Sequence, residues 1–392
     1  MDPVTNPFSP GAGAPPPELV GRQEILERAR VLLARVIQGR SAKSILMTGL
    51  RGVGKTVLLN EIKALAAESG YRTILVETPE QSGLLPHLIP QVRGLLLELD
   101  QGTGVSARVR RALGVLKSFA SAVRVGYAGF EISLDFEAQA GVADSGDLEH
   151  DLADLFVALA EAAKDRGTGV ALLIDELQYI SELELRALTM AMHKLAQEQL
   201  PLVLVGAGLP TLPGLAGRAR SYAERLFDFP TIGALTQDEA GRAIIAPMAS
   251  AQVRIDPAAL AEIFAQTQGY PYFLQEWAYQ TWNRAAGSPV TLDAVREATP
   301  IITARLDEGF FRVRFDRLTR SERRYLRAMA EVPPDQRTTG KVAEILGFKV
   351  TSMGPTRGNL ISKGMVYSPE HGRLDFTVPL FDKFMRRTIP NL

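Results

Sequence analysis

The stretch "GLRGVGKT" sets Gly49, Gly52 and Gly54 ahead of Lys55 and Thr56. That spacing, G-x-x-x-x-G-K-[ST], is the pattern of a phosphate-binding loop. Glycines let successive backbone N–H groups converge on phosphate oxygens, helped by the positive end of the helix that follows. In such a loop Lys55 reaches the β- and γ-phosphates and Thr56 ligates Mg2+. The nucleotide-binding stretch is therefore read as Gly49, Leu50, Arg51, Gly52, Val53, Gly54, Lys55, Thr56 and Val57. A glycine-rich turn matching by accident would not be expected between a buried apolar run and an amphipathic one, and this loop lies between two such runs.

A second constellation follows about 120 residues later in "VALLIDELQYI". An apolar strand closing on Asp175 and Glu176 sends one carboxylate toward the Mg2+ shell and the next toward an attacking water. An acidic pair at a strand end is a weak signal alone. Placed after a phosphate loop it becomes specific, and a base for water points to hydrolysis rather than transfer to a bound acceptor.

These residues need a scaffold, and the chain supplies an α/β pattern. Short apolar runs at 45–50, 73–77, 170–174, 202–205 and 226–229 alternate with helical patterns, as in a parallel sheet covered by helices. The core is read as residues 18–234, with a long insert at 79–147. Two helical patterns and a hairpin are expected in the insert, the hairpin carrying Phe130, Ile132, Leu134 and Phe136 in alternation. Residues 235–316 read as all-helical, with Thr236 and Glu239 at capping-box spacing and Asp256-Pro257 opening another helix. Residues 317–392 begin with Thr319 and Glu322, again at capping-box spacing. A short helix expected to bury Val342, Ile345 and Leu346, a third helix and a hairpin complete the order of a winged helix. The leader, 1–17, is rich in proline and glycine and is expected to be disordered.

Composition narrows the chemistry. The chain has 392 residues and no cysteine, so disulfides, thiolate metal sites and cysteine nucleophiles are excluded. Its four histidines have no metal-ligand spacing. No long apolar run suggests a membrane span and the leader lacks the apolar core of a signal peptide, so a cytoplasmic protein is expected. Formal net charge is zero, yet residues 311–392 hold 16 Lys/Arg against 8 Asp/Glu, leaving −8 for the rest. A basic end on a neutral protein suggests an anionic partner there.

The phosphate loop, the "DELQ" after the acidic strand and the "GYP" in the helical region together resemble the AAA+/STAND group of P-loop ATPases. The likeness is particularly to its archaeal-ATPase-like and origin-recognition-like families, over residue 18 to the end of the chain. The resemblance implies an ASCE-type P-loop sheet, a helical lid and a C-terminal winged helix, with ATP and Mg2+ as ligands and ATP-dependent homo-oligomers as one assembly. It implies that Val20, Gly21 and Arg22, in "ELVGRQEILERARVLL", lie near the adenine. It also implies an arginine directed at a neighbour's phosphate, with Arg225 the first choice and Arg220 the second among Arg218, Arg220 and Arg225. Two positions depart from the group. "VGAGLP" offers no polar sensor after the fourth strand, and Tyr272 stands where many lids carry a sensor arginine. Both departures suit a slow switch better than a fast ring motor.

For the basic end, a winged helix would lay its third helix in the major groove of double-stranded DNA. Thr351, Ser352, Thr356 and Arg357 open that helix, and Arg357 can bridge a guanine edge. Lys363 and Arg373 would add backbone contacts, with Lys349 and His371 beside them. The alternative is a STAND-type signalling ATPase, whose winged helix is an internal clamp and whose partner is a protein.

Overall fold

The computed structural model describes residues 1–11, 13–100, 106–124, 137–370 and 372–391. They divide into two compact units. One comprises Arg22–Gly49 and Lys55–Thr231, the other Met1–Gly21, Leu50–Gly54 and Ile232–Leu392.

The first unit is built on five parallel strands, β1 (Ser44–Thr48), β2 (Tyr71–Glu77), β3 (Gly169–Asp175), β4 (Leu202–Gly208) and β5 (Phe227–Asp228). Their order across the sheet is β2-β3-β4-β1-β5. Strands β1, β3 and β4 are buried at every residue, because sheet neighbours and helices enclose them on all sides. At the sheet edge, β2 alternates and leaves Arg72 and Glu77 exposed. The register sets Thr48 beside Gly208 and Glu77 beside Asp175. The carboxyl ends of the strands therefore finish level, and the segments after β1, β3 and β4 leave the sheet along one edge. In open parallel sheets that edge is where ligands bind.

All five strands expected from the sequence are present, the fifth reduced to Phe227–Asp228 and the first also shorter than expected. Its run stops at Thr48, since Gly49 already belongs to the turn. The insert's two helices are Leu85–Asp100 and Ala107–Arg124. Their apolar faces, including Leu96, Leu113, Leu116 and Phe119, enter the same core as Leu152 and Phe156 of helix Leu148–Asp165. The expected hairpin with Phe130, Ile132, Leu134 and Phe136 lies outside the described residues.

The second unit is largely helical. Thr236 and Thr319 each close the capping box expected of them, with Glu239 and Glu322. Helix Pro257–Thr267 starts after Asp256 and stops at Gln268 in the left-handed region, and Pro271 opens helix Pro271–Arg284. Helices Arg320–Glu331, Thr339–Leu346 and Gly354–Ser362 follow, then antiparallel strands β6 (Val366–Tyr367) and β7 (Asp375–Phe376) and a last helix, Phe381–Thr388.

Three expectations change here. Residues 235–316 and 317–392 were read apart, but they share one apolar core in which Phe311 stacks on Phe384 at 5.2 Å. Ile345 is exposed, because the buried face of its eight-residue helix runs through Val342, Ala343 and Leu346. The leader is not an unpacked tail. Phe8 is 1% exposed, Asn6 Nδ2 donates to Tyr279 O at 3.0 Å, and Trp282 Nε1 donates to Asp2 O at 2.9 Å. Its proline and glycine content suggested nothing to pack, but a buried phenylalanine, with further hydrogen bonds from the Met1 amino group to Ala285 O and from Asn6 to Asn283, docks it on the helical unit. Phe8→Ala should destabilise that unit by about 3 kcal/mol. Both tryptophans of the chain, Trp277 and Trp282, are buried in the unit, so urea denaturation followed by their fluorescence reads it directly. An unchanged midpoint would mean that the leader contributes nothing to packing.

Candidate nucleotide site

The phosphate loop leaves β1 at Gly49, whose N–H donates to Gly208 O at 3.1 Å. Gly52 and Gly54 sit at φ +80° and +92°, a region side chains avoid, so glycine is required at both for this turn. Lys55 then begins helix Lys55–Glu68. The lysine is buried, and its Nζ donates to Gly49 O at 2.9 Å, which folds the side chain back over the loop. Val53 is buried and Val57 half-buried.

Thr56 and Asp175 meet. Thr56 Oγ1 donates to Asp175 Oδ2 at 2.6 Å, and Asp175 Oδ1 accepts the N–H of Glu176 at 2.8 Å. Burial pushes the Asp175 carboxyl above its ordinary value, opposed by these two hydrogen bonds. A hydroxyl and a desolvated carboxylate side by side form the hard-oxygen donor pair that Mg2+ takes, together with waters and substrate phosphates. The residues present fit that ion.

Glu176 has φ 55° and ψ 40°, a left-handed conformation uncommon for a residue with a side chain. Strained backbone of this kind concentrates at functional sites. Its carboxylate accepts from Gln178 Nε2, and Gln178 Oε1 accepts from Leu209 N at 3.0 Å. Sequence reasoning quoted Gln178 within "DELQ" but gave it no role. Only the pairing of β3 with β4 brings it to Leu209.

In the helical unit, the loop's own backbone is engaged. The N–H of Arg51 donates to Thr377 O at 3.1 Å, and Gly52 O accepts the N–H of Tyr272 at 3.2 Å. Tyr272 stacks on Phe310 at 4.8 Å, and the Arg314 guanidinium lies 4.3 Å from the centre of the Phe310 ring. Val20 is buried beside this unit's core, and Gly21, at φ +71°, faces Glu239 so closely that a β-carbon would lie 2.7 Å from its Oε1. Arg22 is buried at the start of helix Gln23–Ile37.

The two candidate finger arginines are not gathered with these residues. Arg220 is ion-paired to Glu149, which also holds Arg186 at 3.3 Å. Arg225 is exposed just before β5, and Phe227 pairs with Ser44 at the start of β1. It therefore lies toward the opposite end of the strands from Gly49, on the rim of an open cavity of about 210 Å3 with Arg40 and Lys43.

At the basic end, Thr351 and Ser352 are exposed, and Thr356 and Arg357 are half-buried at the start of helix Gly354–Ser362. Arg357 Nε is buried with no hydrogen-bond partner among the described residues. Lys363 departs from its expected role as a backbone contact. Its Nζ binds Glu322 at 2.8 Å, and that carboxylate is 2% exposed and caps helix Arg320–Glu331, so the lysine is occupied holding the fold together. Arg373 reaches Glu370 at 3.6 Å and Pro334 O at 3.2 Å. His371 lies outside the described residues.

Residues 18–205 match the family described as AAA ATPase domain, and residues 308–385 match the family described as Domain of unknown function (DUF8462). No curated protein matches the sequence. Among solved structures, the chain resembles the Walker-type ATPase PABY2304 of Pyrococcus abyssi. The match covers 94% of this chain and 96% of that one, at 14% identity and a TM-score of 0.59. It also matches the RuvB Holliday junction branch migration motor of Thermotoga maritima, at 15% identity, 93% and 94% coverage and a TM-score of 0.46. The ORC1 protein of Aeropyrum pernix, in complex with DNA, gives 14% identity, 95% and 94% coverage and a TM-score of 0.44. At 14% identity the likeness to the Pyrococcus abyssi ATPase is one of fold. The chain carries the P-loop AAA+ fold, within which residues 18–205 resemble the AAA ATPase domain.

Proposed function

We propose that the protein is a Mg-ATP-dependent switch ATPase that couples its nucleotide state to DNA binding through its C-terminal helices and hairpin, in the manner of a winged helix. The observation that carries the nucleotide half is the 2.6 Å hydrogen bond joining Thr56, at the start of the phosphate-loop helix, to Asp175, at the end of β3. Backbone N–H groups of the loop and the Lys55 ammonium would bind the phosphates, and Thr56 and Asp175 would hold Mg2+. Bound there, the ion would neutralise charge on the β- and γ-phosphate oxygens. Glu176 would take the proton of the attacking water as oxygen bonds to the γ-phosphorus and the bond to ADP breaks. Val20, Gly21 and Arg22 are assigned to the adenine side, and Arg225 to a neighbouring copy's phosphate in an ATP-dependent oligomer. Arg220, occupied by Glu149, is the weaker candidate for that role.

The DNA half rests on the surplus of positive charge over 311–392, on Thr351 and Ser352 in the turn Val350–Met353, and on Thr356 and Arg357 in the first turn of helix Gly354–Ser362. Much of that charge is spent inside the unit. Arg337 binds Asp375 and Asp382, Arg387 binds Asp307, and Lys363 binds Glu322.

A second reading is favoured by one contact. Thr377, next to β7, accepts the N–H of Arg51 in the phosphate loop, as an internal clamp would. In that reading ATP would displace the hairpin from the loop, and the released surface would meet a protein partner.

Glu176→Gln should bind ATP like the wild type and hydrolyse it about a hundredfold more slowly, as loss of a general base requires. Single-turnover hydrolysis measures this, and equal rates in the two proteins would remove Glu176 from the chemistry. The two readings of the C-terminal end separate by titrating the full-length protein with duplex DNA. Under the DNA reading, affinity falls steeply between 50 and 200 mM salt on the order expected for several phosphate contacts. Arg357→Ala should then cost about 1–3 kcal/mol on a preferred sequence. No binding at low salt, with ATP raising amide hydrogen exchange in residues 365–381, would favour the clamp.

A further inference from the structure

Strand β4 ends in Val205-Gly206-Ala207-Gly208, which carries no polar side chain to the site edge of the sheet. The packing explains why. A β-carbon on Gly206 would lie 2.1 Å from Leu177 Cδ1, and one on Gly208 would lie 3.1 Å from Gln178 Oε1. The two glycines make room for the single turn Leu177–Tyr179, which follows Glu176 and lies against β4.

Gln178 uses that room to join two elements. The N–H of Leu209, just after β4, can only donate, so the atom 3.0 Å from it must be the amide oxygen. This assignment turns the amide NH2 toward Glu176, whose Oε2 accepts from it. The Glu176 main chain is fixed separately, by its N–H on Asp175 Oδ1 at 2.8 Å. Its side chain is thus steered by an amide that is itself anchored to the backbone beyond β4.

We infer that Gln178 is a positioning residue for hydrolysis: it aims the Glu176 carboxylate and ties it to the end of β4. The inference rests on the reading of Glu176 as the base that activates water. Gln178 itself touches neither water nor nucleotide in this role. Its effect is on the rate of the chemical step, because small misplacements of a catalytic group are costly even when binding is intact.

Two substitutions separate positioning from simple capping of Leu209. Gln178→Ala removes both hydrogen bonds. Gln178→Glu keeps an acceptor for the Leu209 N–H but turns a second carboxylate, in place of a donor, toward Glu176. Both variants should lower kcat by about tenfold to a hundredfold and leave ATP affinity within about twofold of wild type. Neither should slow hydrolysis further when added to Glu176→Gln, since residues acting as one unit are not additive. A Gln178→Glu protein with wild-type kcat would overturn the inference in favour of a cap. So would a full additional loss in the Glu176→Gln background. If Glu176→Gln itself hydrolyses ATP at the wild-type rate, the proposed function fails first, and the role of Gln178 goes with it.

Discussion

The hydrogen bond between Thr56 Oγ1 and Asp175 Oδ2 closes 119 residues of chain onto one point at the edge of the sheet. Everything needed to make it is set by strand order. Because β4 separates β1 from β3, the loop after β1 and the acid ending β3 face each other across the end of β4. The glycines that end β4 leave room for Leu177 and Gln178 against the strand, so the packing of β4 and the aim of Glu176 are one problem with one solution. The burial that raises the Asp175 carboxyl is the cost of having it there, since desolvation disfavours the charged form. A bound cation would relieve that cost.

The helical unit has its own constraint, an aromatic core running from Phe273 through Phe311 to Phe381 and Phe384. The phosphate-loop tip, Leu50–Gly54, belongs to this unit by its contacts, through Tyr272 and Thr377. Both contacts use main-chain atoms.

The parts of the site that were legible in the sequence are the local ones. Gly49 to Thr56 declare themselves because a phosphate loop is a matter of spacing within eight residues, and Asp175-Glu176 because an apolar strand ends on them. The capping boxes at Thr236 and Thr319 are equally local. What escaped depends on partners distant in the chain. Gln178 acquires its role from Leu209, Lys363 loses its expected one to Glu322, and Arg220 is held by Glu149, 71 residues earlier. The leader misled for a different reason. Proline and glycine content pointed to disorder, but a buried phenylalanine and hydrogen bonds to residues far along the chain hold the leader in place.

The central claim is that Thr56 and Asp175 form the metal end of a nucleotide site, and the Mg2+ dependence of ATP affinity tests it most directly. Calorimetric titration of the wild type with ATP, in Mg2+ and then in excess EDTA, should show tighter binding with the ion. In Asp175→Asn the difference should vanish while ATP binding in EDTA persists, because the loop and Lys55 are untouched. Equal affinity with and without Mg2+ in the wild type, or an undiminished Mg2+ effect in Asp175→Asn, would contradict the account.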